Sequence, residues 1–133
     1  MTDASRTEAS GPSNPVVYFE IPVTDMDRAI RFYEGVFAFQ FQRETIDGNE
    51  MALFPLSGNA QGITGALAKG EAYVPTRNGP ILYFHTGDID ESLKRAHANG
   101  GKTLYPKTAI GANGFVAEFE DSEGNRIALN SRP

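Results

Sequence analysis

Residues 16–30 read VVYFEIPVTDMDRAI and residues 81–93 read ILYFHTGDIDESL, so the chain nearly repeats itself. Each copy begins with an apolar segment typical of a β-strand, continues through a short turn and an Asp-x-Asp, and ends in an amphipathic helical pattern. Two copies of one βα unit can enclose a cavity between them, and cavities are where small molecules bind.

The amino-acid composition limits the classes of protein to which the chain can belong. With 133 residues, of which 40% are hydrophobic, the chain suits one compact domain. A net charge of −5 and the lack of a Lys/Arg cluster argue against nucleic-acid and anionic-membrane partners. The chain has no cysteine, which excludes disulfides, thiol nucleophiles and cysteine-based metal sites. No apolar run approaches the ~20 residues of a membrane span, and residues 1–15 lack a signal-peptide core, so a cytoplasmic protein is expected.

The first half is expected to have the order β-α-β-β-β. Residues 16–22 alternate as a strand, with Tyr18 and Glu20 on the face opposite Phe19 and Ile21. Asp25 is a good N-cap for the helix that follows. The apolar residues of that helix recur at helical spacing and predict its buried face: Met26, Ala29, Ile30, Tyr33 and Phe37. Further strands are predicted over residues 38–43, 50–56 and 63–69, with turn residues between them.

The same order restarts after a Pro- and Gly-containing linker, residues 71–80. A strand over residues 81–86 precedes Asp88, which has the spacing of a helix N-terminal capping box. Three more strands are predicted over residues 102–105, 115–120 and 126–130. The sequence therefore predicts an α+β fold of two tandem βαβββ modules. A disordered tail, residues 1–14, is expected before a single domain, residues 15–133, in which the modules span residues 15–70 and 81–131.

Two motifs resemble the vicinal oxygen chelate superfamily, which includes glyoxalase I, extradiol dioxygenases, and fosfomycin and bleomycin resistance proteins. The first is Asp-x-x-x-Ala-x-x-Phe-Tyr at residues 25–33, and the second is Asp-x-x-Gly-Asn at residues 121–125. The resemblance covers roughly residues 15–131. It implies a curved mixed sheet around a cavity, with the helices on the outer face, and a homodimer. A fold supports many chemistries, so it does not by itself name a reaction.

The resemblance also locates the residues that hold a metal ion in the superfamily. On the first strand of each module these positions are Tyr18 and Ile81, and on the last strands they are Ala66 and Ala128. Divalent metals need several imidazole or carboxylate ligands that converge on one point. Alanine and isoleucine supply none, so no metal cofactor is expected, and an atypical set that includes Glu20 and His85 is the disfavoured alternative.

Glu20 and His85 are the candidate catalytic residues. Both are predicted to face the cavity, where a half-buried carboxylate or an imidazole can act as a general base. The structural alternatives are a Glu20 carboxylate paired with an arginine such as Arg126 and a His85 at the cavity rim.

Five residues are candidates for ligand binding. Tyr18 and Tyr83 would offer aromatic faces to a planar or apolar molecule, or would simply fill the cavity. Arg126 and Asn130 share the predicted cavity face of the last strand and suit a polar or anionic group. Glu118 belongs with them only if the strand register turns it inward.

Three functions stay open from the sequence. The first is a cavity protein that binds a small organic molecule without catalysis or metal. The second is an enzyme of lyase, isomerase or dioxygenase type, related to lactoylglutathione lyase, that uses an atypical metal set or acid–base chemistry by Glu20 and His85. The third is a non-catalytic dimerisation module whose cavity is filled.

Overall fold

The computed structural model describes residues 14–58 and 62–133, and within them each module forms a sheet with one helix. The elements of the first module are β1 (Phe19–Pro22), α1 (Met26–Phe37), β2 (Gln42–Ile46), β3 (Asn49–Leu53) and β4 (Gly65–Lys69). The elements of the second are β5 (Leu82–His85), α2 (Ile89–Ala98), β6 (Lys102–Ala109), a short 3₁₀ turn (Gly111–Asn113), β7 (Phe115–Glu120) and β8 (Arg126–Ser131). The predicted α+β class with two tandem βαβββ modules is confirmed.

The two sheets have the same topology, as expected of a duplication. The strand order is β1-β4-β3-β2 in one sheet and β5-β8-β7-β6 in the other. In each, the first and last strands of the module pair in parallel, and the other neighbours are antiparallel. Within the described residues the strands thus form two four-stranded mixed sheets, one per module, and not one continuous sheet.

One face of each sheet packs on the helices and forms a single hydrophobic core shared by the two modules. Aromatic rings connect the modules inside it: Phe84 of β5 lies 5.1 Å, centroid to centroid, from Phe37 of α1 and 6.0 Å from Phe19 of β1. The opposite face of each sheet, here called the far face, carries Glu20 in the first module and Tyr83 and His85 in the second, as predicted from strand alternation. The strand predicted over residues 16–22 begins only at Phe19, so Tyr18 precedes β1.

Both helices begin at the predicted caps. The carboxylate of Asp25 accepts a hydrogen bond from the Arg28 N–H, and that of Asp88 accepts one from the Glu91 N–H. The buried face of α1 is wider than its predicted stripe, because Phe32 and Val36 are buried as well. Phe32 and Val36 are buried because α1 contacts α2 and residues of both sheets, so these contacts cover more than one side of the helix.

The last turn of the second module is tied to the first module by buried polar contacts. The Tyr33 hydroxyl donates to the Asp121 carboxylate at 2.7 Å, and both side chains are buried. The neighbouring Glu123 carboxylate accepts from the N–H groups of Thr24 and Asp25, each at 2.9 Å, and from Arg28 Nε at 2.7 Å. These contacts hold β7 and β8 against the start of α1.

Some predicted boundaries were wrong. The strand predicted over residues 38–43 lies at Gln42–Ile46, because Ala38 ends α1 in a left-handed conformation (φ 60°) and residues 39–41 pass over the core first. The strand predicted over residues 102–105 continues to Ala109 with irregular register. Residues 1–13 of the predicted tail lie outside the described residues. Neither helix of the described ranges has the length and apolar composition needed to span a bilayer.

Candidate functional site

A cleft of about 400 Å³ lies between the two modules. Its walls come from the segment that leads into β1, from the linker around Pro80, and from the start of β5 and β8. Apolar side chains predominate among the residues that line it, including Val16, Phe19, Ile21, Pro80, Leu82 and Ile127. Tyr18, Glu20 and Arg126 supply its titratable groups. The cleft is therefore mostly apolar, with a few polar groups along its walls.

Glu20 is held in this cleft by two phenols. The Tyr18 hydroxyl donates to Glu20 Oε2 at 3.1 Å, and the Tyr73 hydroxyl donates to Oε1 at 2.8 Å. Burial, and then the hydrogen bond to Glu20, raise the pKa of Tyr18 to about 12, and the hydrogen bond to Glu20 is the main cause of a raised pKa at Tyr73. Both phenols therefore stay protonated and act as hydrogen-bond donors at neutral pH.

Tyr73 was missed by the sequence analysis. It lies in the linker, and its ring packs over the far face of the first sheet against Met51, Ala66 and Ala68. Its hydroxyl is thereby aimed at Glu20, which sits opposite Ala66 in the strand register. The available signal was that Tyr73 is the one aromatic residue of an otherwise polar, Pro- and Gly-rich segment, residues 70–80.

Asn125 shapes the floor of the cleft and was also missed. Its Nδ2 donates to the Pro22 carbonyl at 2.8 Å, and its Oδ1 accepts from the Thr76 N–H at 3.1 Å. One buried amide thus joins β1, the linker and the last turn of the second module. The sequence had marked this position only as part of a turn motif.

Arg126 is paired with Glu118 and not with Glu20, which corrects one expectation. The guanidinium donates to the Glu118 carboxylate across the β7–β8 pair. The register places Glu118 opposite Ala128, on the far face, so the inward orientation on which its role depended is present. The charge of Arg126 is therefore already compensated at the edge of the cleft.

Tyr83 and His85 line a separate depression of about 450 Å³, on the other side of Phe19 and Leu82. Phe19 and Leu82 contribute to both cavities. Tyr83 is 57% exposed, and His85 is exposed as well. The structure thus brings Tyr18, Glu20 and Arg126 together along one cleft and places Tyr83 and His85 along another.

Asn130 lies opposite His85 in the strand register. Its amide donates to the backbone carbonyls of Phe115, at 3.1 Å, and Asn113, at 3.3 Å. These bonds hold the connection between β6 and β7, so the side-chain amide of Asn130 donates to the protein's own backbone.

The residues at the family's metal positions do not fit a divalent ion. Tyr18 donates its hydroxyl hydrogen to Glu20. Ile81, Ala66 and Ala128 have no side-chain atom that could bind a metal, and the two alanines are fully buried. Among the described residues, no group of three or more His, Asp or Glu side chains is arranged to hold a metal. No step of a mechanism is therefore assigned to a metal ion.

Comparison with known proteins gives one family. The model of the Glyoxalase/Bleomycin resistance protein/Dioxygenase superfamily matches residues 16–129. A "Glyoxylase-like domain-containing protein" from Didymella fabae is 32% identical over 118 residues, which cover 86% of this chain and 91% of that protein.

Solved structures show the same fold at lower identity. A glyoxylase/bleomycin resistance protein/dioxygenase domain from Frankia sp. EAN1pec has a TM-score of 0.70 at 19% identity, covering 92% of this chain and 94% of that one. TnmS3, an antibiotic binding protein from Streptomyces sp. CB03234, has a TM-score of 0.65 at 20% identity, covering 93% and 100%. Glyoxalase I from Zea mays has a TM-score of 0.64 at 17% identity; the match covers 88% of this chain but 46% of the maize chain.

Proposed function

Since the chain belongs to the Glyoxalase/Bleomycin resistance protein/Dioxygenase superfamily, we propose that it binds a small organic molecule in the cleft between its modules, without a metal ion. The observation that carries the proposal is the cleft itself. Its volume, about 400 Å³, lies in the range of small-molecule pockets, roughly 300–1,000 Å³. The antibiotic binding protein TnmS3 has a similar fold, which supports a binding role.

The donor set supports binding without metal. A divalent ion would need three or more imidazole or carboxylate groups around one point. At the family's four positions this chain has a phenol that is hydrogen-bonded to Glu20, one isoleucine and two alanines, and the last three have no donor atom. The aromatic ring of Tyr18 in the lining of the cleft suits an apolar or planar ligand.

The enzymatic alternative receives less support from the geometry. Acid–base chemistry by Glu20 and His85 requires both groups to reach one substrate within hydrogen-bond distance. Glu20 lines the inter-module cleft, whereas His85 lines the depression beyond Phe19 and Leu82. A lyase, isomerase or dioxygenase activity stays a prediction that metal analysis of protein purified without chelator tests: stoichiometric bound metal would favour it.

A thermal-shift screen with a library of small aromatic compounds tests the proposal. A ligand of the folded state raises the melting temperature by mass action. Each hit is then titrated by calorimetry into Tyr18→Ala and into Tyr105→Ala. These tyrosines have similar exposure, 45% and 42%, but only Tyr18 lines the cleft. We expect Tyr18→Ala to weaken binding about five- to tenfold, because it removes one aromatic contact with the ligand. Tyr105→Ala is expected to leave the affinity unchanged. Equal effects, or a library without hits, would overturn the proposal and favour the dimerisation module.

Two expectations on assembly and location belong to the same proposal. A homodimer is expected from family membership, and the exposed aromatic side chains of Tyr83 and Tyr105 suit contact with another surface. Light scattering on a sizing column gives its mass directly. The cytoplasmic location stays a prediction that fractionation of the source cells tests.

A further inference from the structure

The cleft contains one carboxylate without a cationic partner among the described residues. Glu20 accepts hydrogen bonds from the neutral phenols of Tyr18 and Tyr73, and no Lys, Arg or His of residues 14–58 and 62–133 forms a salt bridge with it. Each carboxylate oxygen has about two acceptor positions. One phenol on each oxygen therefore leaves Glu20 able to accept another donor from the cleft.

The arginine that lines the cleft and the arginine of the linker are each paired with a carboxylate other than Glu20. Arg126 is paired with Glu118, and Arg77 of the linker is paired with Glu120 at 2.9 Å. Among the described residues that line the cleft, Glu20 thus carries the one charge without an oppositely charged partner, in a chain whose net charge is −5. This field attracts cations and repels anions.

Tyr18 adds an aromatic face next to that charge. It lines the cleft beside Glu20, and its phenol is held by the same carboxylate. A cation near the face of an aromatic ring gains about 0.5–1 kcal/mol at exposed sites and more when it is desolvated. An apolar body would then extend over Leu82, Pro80 and Ile127.

We infer that the ligand of the cleft is an organic cation, an ammonium group on an apolar body, with the ammonium on Glu20 and Tyr18. This inference rests on the proposed binding function and narrows its ligand class. Tyr73 is a positioning residue, because it fixes Glu20 Oε1 without lining the cleft.

Three probes with one aromatic body test the charge preference. They are 2-naphthylmethylamine, a cation at neutral pH; 2-naphthylmethanol, which is neutral; and 2-naphthoate, an anion. Calorimetric titration of the wild-type chain is expected to give an affinity for the amine about five- to tenfold above that for the alcohol, and the weakest binding for the anion. The preference for the amine is expected to shrink when salt is raised from about 0.05 to 0.5 M, because screening weakens the charge term alone.

Three variants locate the effect. Glu20→Gln keeps the size of the side chain but removes its charge, and is expected to abolish the preference for the amine while the alcohol binds within twofold of wild type. Glu44→Gln is the matched control, since it removes the same charge from an exposed position of the same sheet outside the cleft. Glu118→Gln frees the charge of Arg126 and is expected to shift the preference towards 2-naphthoate.

The outcomes separate the inference from the function on which it rests. If the alcohol binds at least as tightly as the amine, the cation inference is wrong while binding in the cleft stands. If none of the probes binds, the cation inference is wrong, and the library screen decides separately whether binding in the cleft stands. A preference that persists in Glu20→Gln, or that lacks salt dependence in the wild type, would overturn the role of Glu20.

Discussion

Two carboxylates lie where the modules meet, and their surroundings differ. Glu123 has no exposed side-chain surface and is surrounded by Arg28 and two backbone N–H groups at the start of α1. Glu20 is exposed in the cleft and is held by two neutral phenols. The hydrogen-bond partners of Glu123 belong to the fold itself, so this carboxylate stabilises the folded state. The second carboxylate, Glu20, has no cationic partner among the described residues and faces a mostly apolar cleft, and on these features the proposed binding site rests.

Asp121→Ala is expected to cause the largest loss of stability among these substitutions. It tests the buried contacts next to Glu123. The substitution leaves the buried hydroxyl of Tyr33 without its acceptor and removes an acceptor of the Asn125 amide. Unsatisfied buried polar groups cost about 1–3 kcal/mol each, so we expect a loss of about 3–4 kcal/mol in urea unfolding. Asp90→Ala, which breaks a pair on the surface of α2, is the control, with an expected loss below about 1 kcal/mol. Similar losses of unfolding free energy in Asp121→Ala and Asp90→Ala would contradict the difference drawn here between a buried and an exposed carboxylate.

The loss of stability at acid pH is expected to come from Glu123. Burial opposes its ionisation, but the bond from Arg28 and the N–H groups of Asp25 and Thr24 outweigh burial and lower the pKa from 4.5 to about 2. A lowered carboxyl pKa stabilises the fold above the unfolded value, and this stabilisation is lost as pH falls from about 5 towards 2. The expected size is about 2–3 kcal/mol.

Asp121 contributes to the pH dependence of stability with the opposite sign. Burial raises its pKa, although hydrogen bonds from Tyr33 and Asn125 partly offset the effect. A raised carboxyl pKa favours folding at low pH, so Asp121 reduces the net acid sensitivity. Urea unfolding at neutral pH and near pH 3 is expected to show a smaller acid loss in Glu123→Gln than in wild type. An unchanged acid loss would place the responsible carboxylate elsewhere.

Tyr73→Phe probes the positioning of Glu20. It removes the 2.8 Å bond to Oε1 but keeps the ring against Met51 and Ala66. We expect unfolding free energy to fall by about 1 kcal/mol or less and affinity for 2-naphthylmethylamine to fall two- to threefold, with the alcohol unaffected. Tyr83→Phe, in the other depression, is the control. A loss for both probes would indicate a general packing defect.

Glu20→Gln is expected to have the smallest effect on stability, within about 0.5 kcal/mol in urea unfolding, since an exposed position with neutral partners contributes little. Glu123→Gln, the same chemical change, is expected to cost several times more. Equal costs would remove the structural basis for treating one carboxylate as part of the fold and the other as part of the site.

The sequence was sufficient for the duplicated fold because its signals are local. The caps at Asp25 and Asp88 and the alternation from Phe19 to Ile21 each depend on a few neighbouring residues, and all three are confirmed. The partners of charged groups depend on which segments fold together, so the pairing of Arg126 with Glu118 and the contact of Tyr73 with Glu20 could not be read from local patterns. The extra burial of Phe32 likewise follows from packing between modules.

Chemical-shift mapping on chelator-treated protein tests the central claim most directly, because it reports both the place of binding and its independence from metal. A hit from the aromatic library is titrated into isotopically labelled chain before and after addition of Zn²⁺. We expect saturable shifts at Tyr18, Glu20 and Leu82 without metal, and the same affinity after its addition. Shifts that appear only when Zn²⁺ is present, or that centre on Tyr83 and His85, would contradict the account.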